Sequence, residues 1–324
     1  GDNTAALRAA IRDDELLRHA VAGEDAEATI LGHTRWASVG IISEPNAHPL
    51  DHTETEGPTA PLVLGALNGD VDNYTDLDVA EGADALYRGA TAARIVARLH
   101  EGALPGSMTA ADLAGYRPVV RQALCNGYRV YLLCAPPPPS SGVGLLQLMA
   151  MIEHSDIAAR GPDDAVAWVE YAEASRLMYA DRDAYVGDVP NVPVKGLLDP
   201  AYVAARAALI KDRAGPPPSA GTPPGAIVAA ADATDEVPGT SHFVIIDADG
   251  NAVSMTTTVE SYFGSGRMVD GFFLNNQMTD FSFVPTGPNA IAPGKRPRSS
   301  MTPLVILHRD RSLAGAIGSP GGNA

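Results

Sequence analysis

Residues Gly215 to Gly225 form a run of proline, glycine and small side chains too poor in large apolar groups to pack, and the chain follows a different periodicity on each side of it. Upstream, apolar residues recur at helical spacing in Ala85 to Glu101 and in the long stretch Ala165 to Asp183. Asp199-Pro200 reads as an N-cap followed by proline at the first helical position, opening a helix expected to run through Ile210. Downstream, short alternating runs predict strands at Phe243 to Asp247, Ala252 to Thr258, Gly271 to Leu274, Leu304 to His308 and Leu313 to Ile317. The opening stretch, to about Leu77, adds short apolar strands such as Ala28 to Leu31 and Pro61 to Leu67, and composition shifts near residue 80. Helices first, then strands joined by Asp-Gly turns, predict an α+β fold of antiparallel sheets covered by helices rather than a parallel doubly wound sheet. The Gly215 to Gly225 run is expected to be a mobile linker.

Composition removes several classes of function. With 324 residues, 45% of them apolar, the chain holds one large domain or two medium ones. A formal net charge of -16 disfavours a nucleic-acid partner, since phosphate binding needs clustered Lys and Arg. No uninterrupted apolar run approaches the roughly 20 residues of a membrane helix, and Gly1 to Asp14 is polar and charged with no signal-peptide core. The 2 cysteines, Cys125 and Cys134, exclude a four-Cys zinc site. They flank the strand-like run Tyr128 to Leu133 and are expected to be two buried thiols. No metal or cofactor is called for.

The hairpin from His242 to Thr258 carries the chemistry. Its turn, Ala248-Asp249-Gly250-Asn251, supplies residues that tolerate positive φ, and folding the strands back about Asp249 places Thr258 opposite Thr240. Threonine pairs of this kind are common in sheets with no catalytic role. Here, however, Pro238-Gly239-Thr240-Ser241-His242 puts an unhindered glycine carbonyl directly before a hydroxyl residue. A hydroxyl that attacks its own preceding carbonyl gives an ester that water cleaves, leaving an N-terminal threonine. An α-amine with a pKa of about 8 then suits the work of general base. Thr258, facing it, would orient the nucleophile.

Thr240-Ser241-His242-Phe243, Asp249-Gly250-Asn251-Ala252-Val253-Ser254, Phe263-Gly264-Ser265-Gly266, Leu274-Asn275-Asn276-Gln277-Met278, Asp280-Phe281-Ser282, Ser299-Ser300-Met301-Thr302-Pro303 and Gly318-Ser319-Pro320-Gly321-Gly322 together resemble the gamma-glutamyltransferase family. Upstream, Gly82 to Tyr87, the Pro136 to Gly142 stretch, Tyr179-Ala180-Asp181-Arg182 and Val192 to Gly196 resemble that family's large subunit, so the likeness spans roughly 80 to 324. The resemblance implies an N-terminal-nucleophile αββα sandwich, here incomplete, and cleavage between Gly239 and Thr240 into large and small subunits of one precursor. It implies Thr240 as nucleophile and Thr258 as its supporting hydroxyl. Glu260 and Asp280 would bind the substrate α-ammonium and Gln277 would support the pocket. Ser299 and Ser300 would grip the α-carboxylate, and the backbone N–H groups of Gly321 and Gly322 would stabilise the oxyanion. The implied substrates are glutathione, glutamine and related gamma-glutamyl compounds, with water or an amino acid as acceptor.

The resemblance also implies that both ends of the family fold are missing. No residue here corresponds to the family's carboxylate-binding arginine, and the chain stops just after the glycine pair. In place of the missing beginning, Leu31-Gly32-His33-Thr34-Arg35-Trp36-Ala37-Ser38, Asn46-Ala47-His48-Pro49 and Asn68-Gly69-Asp70-Val71-Asp72-Asn73-Tyr74 resemble a class II glutamine amidotransferase domain. By that likeness Arg35, with Trp36 beside it, would hold glutamine's carboxylate, and Asn68 and Gly69 would form an oxyanion site. The plain alternative for Arg35 and Trp36 is local packing. The essential N-terminal cysteine of that family is missing, so this stretch is expected to be inert. The expected layout is 1–78 amidotransferase-like, 79–239 large-subunit part and 240–324 small-subunit part, with a gene-prediction or assembly fusion as the expected origin of the junction. The transferase likeness points to a periplasmic or secreted protein and the amidotransferase likeness to the cytoplasm, which leaves the compartment open.

Overall fold

Short acceptor side chains, Thr109, Asp164 and Asp199, start three of the helices of this protein. The computed structural model describes residues 50–51, 64–65, 86–227, 232–234, 239–247 and 250–319. The chain divides into two units, 1–70 and 71–324. In the first unit, β1 (Leu50–Asp51) and β2 (Leu64–Gly65) pair antiparallel, with β2 inside the expected Pro61 to Leu67 run. Arg35, Trp36, Asn68 and Gly69 lie outside the described residues, as do Gly321 and Gly322.

The second unit opens with α1 (Ala90–Leu99) and α2 (Ala110–Gly115), the latter started by a capping box in which Thr109 and Asp112 exchange side-chain and backbone bonds. Next come β3 (Leu124–Tyr128), β4 (Tyr131–Ala135), α3 (Gly142–Ile152) and α4 (Ile157–Arg160). The long helix α5 (Ala165–Tyr185) starts where the Asp164 carboxylate accepts from Val166 N at 2.7 Å and Ala167 N at 3.3 Å. After α6 (Val194–Leu197), α7 (Pro200–Ala207) has the expected Asp199 cap and proline start. It ends short of Ile210 because Leu209 N and Ile210 N bond three residues back, to Arg206 O and Ala207 O, which tightens the last turn.

Downstream lie β5 (Thr240–Ile246), β6 (Ala252–Thr258), β7 (Met268–Val269), β8 (Phe272–Phe273), a 3₁₀ turn at Gln277–Asp280, β9 (Leu304–Leu307) and β10 (Leu313–Ile317). β6 and β10 match their expected limits. The fold is α+β with antiparallel sheets. Its four-stranded sheet has the order β10-β9-β4-β3, so β4 is hydrogen-bonded both to its hairpin partner β3 and to β9, about 170 residues later in the chain. One sheet therefore joins strands from both sides of Gly239–Thr240, which helix-then-strand order did not foresee. Leu133 and Ala135 of β4 and Leu304 of β9 pack on Leu146 of α3, while Met151 of α3 meets Leu177 of α5 and Val203 of α7 in a second cluster. Full burial of each of these leucine, methionine and valine side chains stabilises the fold by about 1.5–3 kcal/mol.

Two expectations are corrected. Cys125 and Cys134 are not buried thiols: they are direct partners across the β3–β4 hairpin, Cys125 is exposed, and the two form a disulfide. Directly opposed side chains on a tight hairpin are brought within bonding reach by the pairing register itself. Nor is Gly215 to Gly225 a free linker. Gly221 N donates to the Asp181 carboxylate at 2.8 Å and Gly221 O accepts from Tyr185 Oη at 2.6 Å. A Cβ at position 221 would lie 2.3 Å from the Tyr202 hydroxyl, so the glycine permits an approach no other residue could make. Apolar poverty argued for mobility, but backbone hydrogen bonds to a buried carboxylate decided the outcome. Among the described residues, no helix is long and apolar enough to cross a membrane.

Candidate active site

Alternating side chains and a glycine turn fix the register of the β5–β6 hairpin. Gly250 adopts φ 82°, and Asn251 N donates to Asp247 Oδ1 at 2.8 Å to close the turn. Pairing then runs from Ile246↔Ala252 to Thr240↔Thr258, the register expected from the sequence. At the open end, Thr258 Oγ1 accepts from Glu260 N at 2.8 Å and donates to Gly239 O at 2.6 Å. The sequence suggested that Thr258 would orient the threonine hydroxyl; its hydroxyl also contacts the carbonyl that precedes Thr240. The Gly239 carbonyl has no proton to give, so the Thr258 hydroxyl donates in that contact, and accepting the Glu260 N–H polarises the donated O–H.

Gly239 is confined from the other side. A Cβ at this position would lie 2.0 Å from Glu260 O, so only glycine fits under the loop that follows β6. Glu260 itself sits at φ 77°, a strained backbone setting for a residue with a side chain. The loop is held by Asn276, whose Oδ1 accepts from Ser261 N at 3.0 Å and whose Nδ2 donates to Ser261 Oγ at 3.0 Å.

Glu260 and Asp280 are each only 6% exposed, and they converge on one amide. Gln277 Nε2 donates to Glu260 Oε2 at 3.1 Å and to the Asp280 carboxylate. Two buried carboxyl groups that share one neutral donor can accept charge-assisted hydrogen bonds from a cationic group such as an ammonium.

Ser299 is anchored through its backbone: Ser141 N and Oγ both donate to Ser299 O, at 2.9 and 2.8 Å, and Ser299 N donates to Pro139 O at 3.1 Å. The neighbouring hydroxyl, Ser300 Oγ, accepts from Arg182 Nη2 at 2.6 Å. Arg182, buried on α5, also donates through Nε to Ser141 Oγ at 2.7 Å. Thr258, Gln277, Asp280, Ser299 and Arg296 line one cleft of about 870 Å³. Sequence reasoning gave Arg182 and Ser141 no role. Both stand in motifs it quoted, but no spacing rule connects a helix interior to a loop more than a hundred residues away. Asp181 of α5 is fully buried and accepts from Gln147 Nε2, Tyr202 Oη and Gly221 N, each at 2.8 Å, and pairs with Arg206 at 3.1 Å. Burial, reinforced by the Asp181 carboxylate, pushes the Tyr202 hydroxyl well above its usual range and keeps it a proton donor.

His242, two residues into β5, contacts Thr256 Oγ1 through Nδ1 at 2.8 Å. Burial holds its imidazole below the usual histidine value.

With this geometry in hand, known proteins supply the comparison. A family model described as gamma-glutamyltranspeptidase matches residues 77–324. The chain belongs to the gamma-glutamyltranspeptidase family. It is 37% identical over 294 residues to the glutathione hydrolase proenzyme of Bacillus subtilis (strain 168), a match covering 86% of this chain and 47% of that protein. It is 36% identical over 257 residues to the glutathione hydrolase proenzyme of Escherichia coli (strain K12), covering 75% of this chain and 43% of the relative. The chain thus spans about half the length of the curated relatives it matches. Among solved structures, a cephalosporin acylase from Bacillus halodurans superposes with a TM-score of 0.61 at 26% identity, over 75% of this chain and 42% of the other.

Proposed function

We propose that this chain is a gamma-glutamyl hydrolase and transferase precursor that cuts itself between Gly239 and Thr240 and then uses Thr240 as its nucleophile. The observation that carries this reading is the hydrogen-bond relay from Glu260 N through Thr258 Oγ1 to Gly239 O. Attack of Thr240 Oγ on the Gly239 carbonyl forms a C–O bond and places negative charge on Gly239 O, where the Thr258 hydroxyl already donates. The Gly239–Thr240 C–N bond then breaks and the threonine nitrogen takes the hydroxyl proton, leaving an ester. Water cleaves the ester to a Gly239 carboxylate and a Thr240 that carries both a free amine and a free hydroxyl.

In the second reaction the Thr240 amine accepts the hydroxyl proton while Oγ attacks the gamma-carbonyl of glutathione or a related amide. Glu260 and Asp280, bridged by Gln277, take the α-ammonium, and Ser299 and Ser300 take the α-carboxylate. Gly321 and Gly322 supply the oxyanion N–H pair. Water or an amino acid resolves the glutamyl ester. The names of the Bacillus subtilis and Escherichia coli relatives support glutathione as substrate and a processed precursor. The products would be a large part ending at Gly239 and a small part beginning at Thr240, arranged in an αββα sandwich. The amidotransferase-like reading of 1–78 rests on its sequence motifs alone. The 2 cysteines of the sequence are bound to each other, which leaves that stretch no thiol from either.

Mass spectrometry of the purified chain after incubation tests the proposal, together with turnover of a gamma-glutamyl anilide. A fragment starting at Thr240 and turnover that is lost in Thr240→Ala are expected. An uncut polypeptide that still hydrolyses the anilide would overturn the mechanism.

A further inference from the structure

The segment just upstream of the scissile peptide is fastened to the part of the chain that lies beyond it. Asp232 Oδ2 accepts from Arg298 Nη2 at 2.7 Å, and Ala233 N donates to Ser282 Oγ at 3.0 Å. Asn289 Nδ2 donates to Thr234 Oγ1 at 2.9 Å, and Thr234 Oγ1 donates to Asp232 Oδ1 at 3.0 Å. Ser282, Asn289 and Arg298 are all buried and all follow Thr240 in the sequence.

Asn289 is the hub of this arrangement. Besides Thr234, its Nδ2 donates to Asp280 O at 2.8 Å, and its Oδ1 accepts from Arg298 N at 2.9 Å. One side chain therefore links the upstream segment to the backbone of a cleft carboxylate and to the residue preceding Ser299. Arg298 is shared in turn with Asp183, at 3.1 Å, next to Arg182 on α5. Thr234 and Gly239 are joined by a tether that reaches about 17 Å at most, so fixing Thr234 keeps the Gly239 carbonyl within that radius of the clip.

We infer that Asp232 and Thr234 form a clip on Arg298 and Asn289 that positions the Gly239–Thr240 peptide beneath the Thr258 hydroxyl, making Asp232 a positioning residue for self-cleavage. The inference rests on the self-cleavage reading above and adds to it. Attack on one's own preceding carbonyl needs a near-attack geometry that a freely moving chain rarely visits, and a clip that restricts the tether raises the population of that geometry. The clip touches none of the reacting atoms. Burial pushes the Asp232 carboxyl up, but the Arg298 charge and the bonds from Thr234 outweigh it and hold the group below its ordinary value.

The test follows appearance of the Thr240 fragment in the purified full chain by mass spectrometry, with melting of each variant measured separately in an uncut Thr240→Ala background. Asp232→Ala is expected to slow cleavage at least tenfold and to melt lower, because buried Arg298 loses a carboxylate, and Asp232→Glu, which keeps the charge, to recover part of the rate. Thr234→Val, nearly the same shape, is expected to slow cleavage about threefold, and it decides the matter if Asp232→Ala does not fold. Wild-type cleavage rates in Asp232→Asn and Thr234→Val would overturn the inference, as would slowing that vanishes at a temperature where each variant is fully folded. Hydrogen exchange at the Ala233 amide in Thr240→Ala reads the clip without cleavage: rapid exchange overturns it. A protected Ala233 in a wild-type chain that never cuts would sink the self-cleavage reading and with it the positioning role, while showing that the clip forms.

Discussion

Thr258 donates its hydroxyl proton to the carbonyl oxygen of Gly239 across 2.6 Å, and the two residues are 19 positions apart in sequence. The hairpin register brings them together, and the N–H of Glu260, donated to the Thr258 oxygen, polarises the hydroxyl that points at that carbonyl. In the proposed self-cleavage, that hydroxyl would face the developing oxyanion.

Thr258→Ala is expected to slow appearance of the Thr240 fragment by about 10²–10³-fold, the usual effect of losing one oxyanion donor, and Thr258→Ser to retain most of the rate. Time courses by gel or mass spectrometry check this. Equal rates in wild type and the alanine variant would show that the contact does no work in the reaction.

Asp181 is fully buried with Arg206 and three hydrogen-bond donors around it. Asp181→Ala leaves the guanidinium without its carboxylate and is expected to cost about 3–5 kcal/mol of stability. Urea melts of the variant provide the measurement. A midpoint within error of wild type would mean the network is replaceable.

Cys125 and Cys134 are separated by 9 residues in sequence, and closing a loop of that size removes enough unfolded-chain entropy to stabilise the fold by about 2–3 kcal/mol. Thiol titration of the unfolded, unreduced chain is expected to find no free sulfhydryl, and the Cys125→Ser/Cys134→Ser protein to melt lower. Two titratable thiols would contradict the pairing.

His242 gives stability a pH dependence. Its folded pKa is depressed by burial, so the unfolded chain binds a proton more readily. The contribution is fully present above the ordinary histidine value of 6.5 and is lost as the pH falls through the depressed folded value. Melting temperature should therefore drop on acidification below about pH 6.5, and drop less in His242→Gln. Parallel slopes in the two proteins would remove His242 as the cause.

The sequence by itself determined the local parts of this protein. Alternation and an Asp-Gly turn set the register that opposes Thr240 to Thr258, and Asp199-Pro200 marked the start of α7 because capping depends on neighbours a few residues away. Spacing around Gly239 and Thr240 was enough to suggest the cleavage chemistry. Tertiary structure alone decided what lies across long separations. It placed β4 beside β9, bridged Glu260 and Asp280 with the Gln277 amide, set Arg182 against Ser300, and hung Asp232 on Arg298. It also joined the cysteines and pinned Gly221 to Asp181, against the local expectation in both cases. The physical reason is common to all of these. Periodicity and caps report interactions within a few residues, whereas a buried polar group takes whichever partner the packed chain delivers, and that partner is fixed only once the helices and the sheet have closed around it.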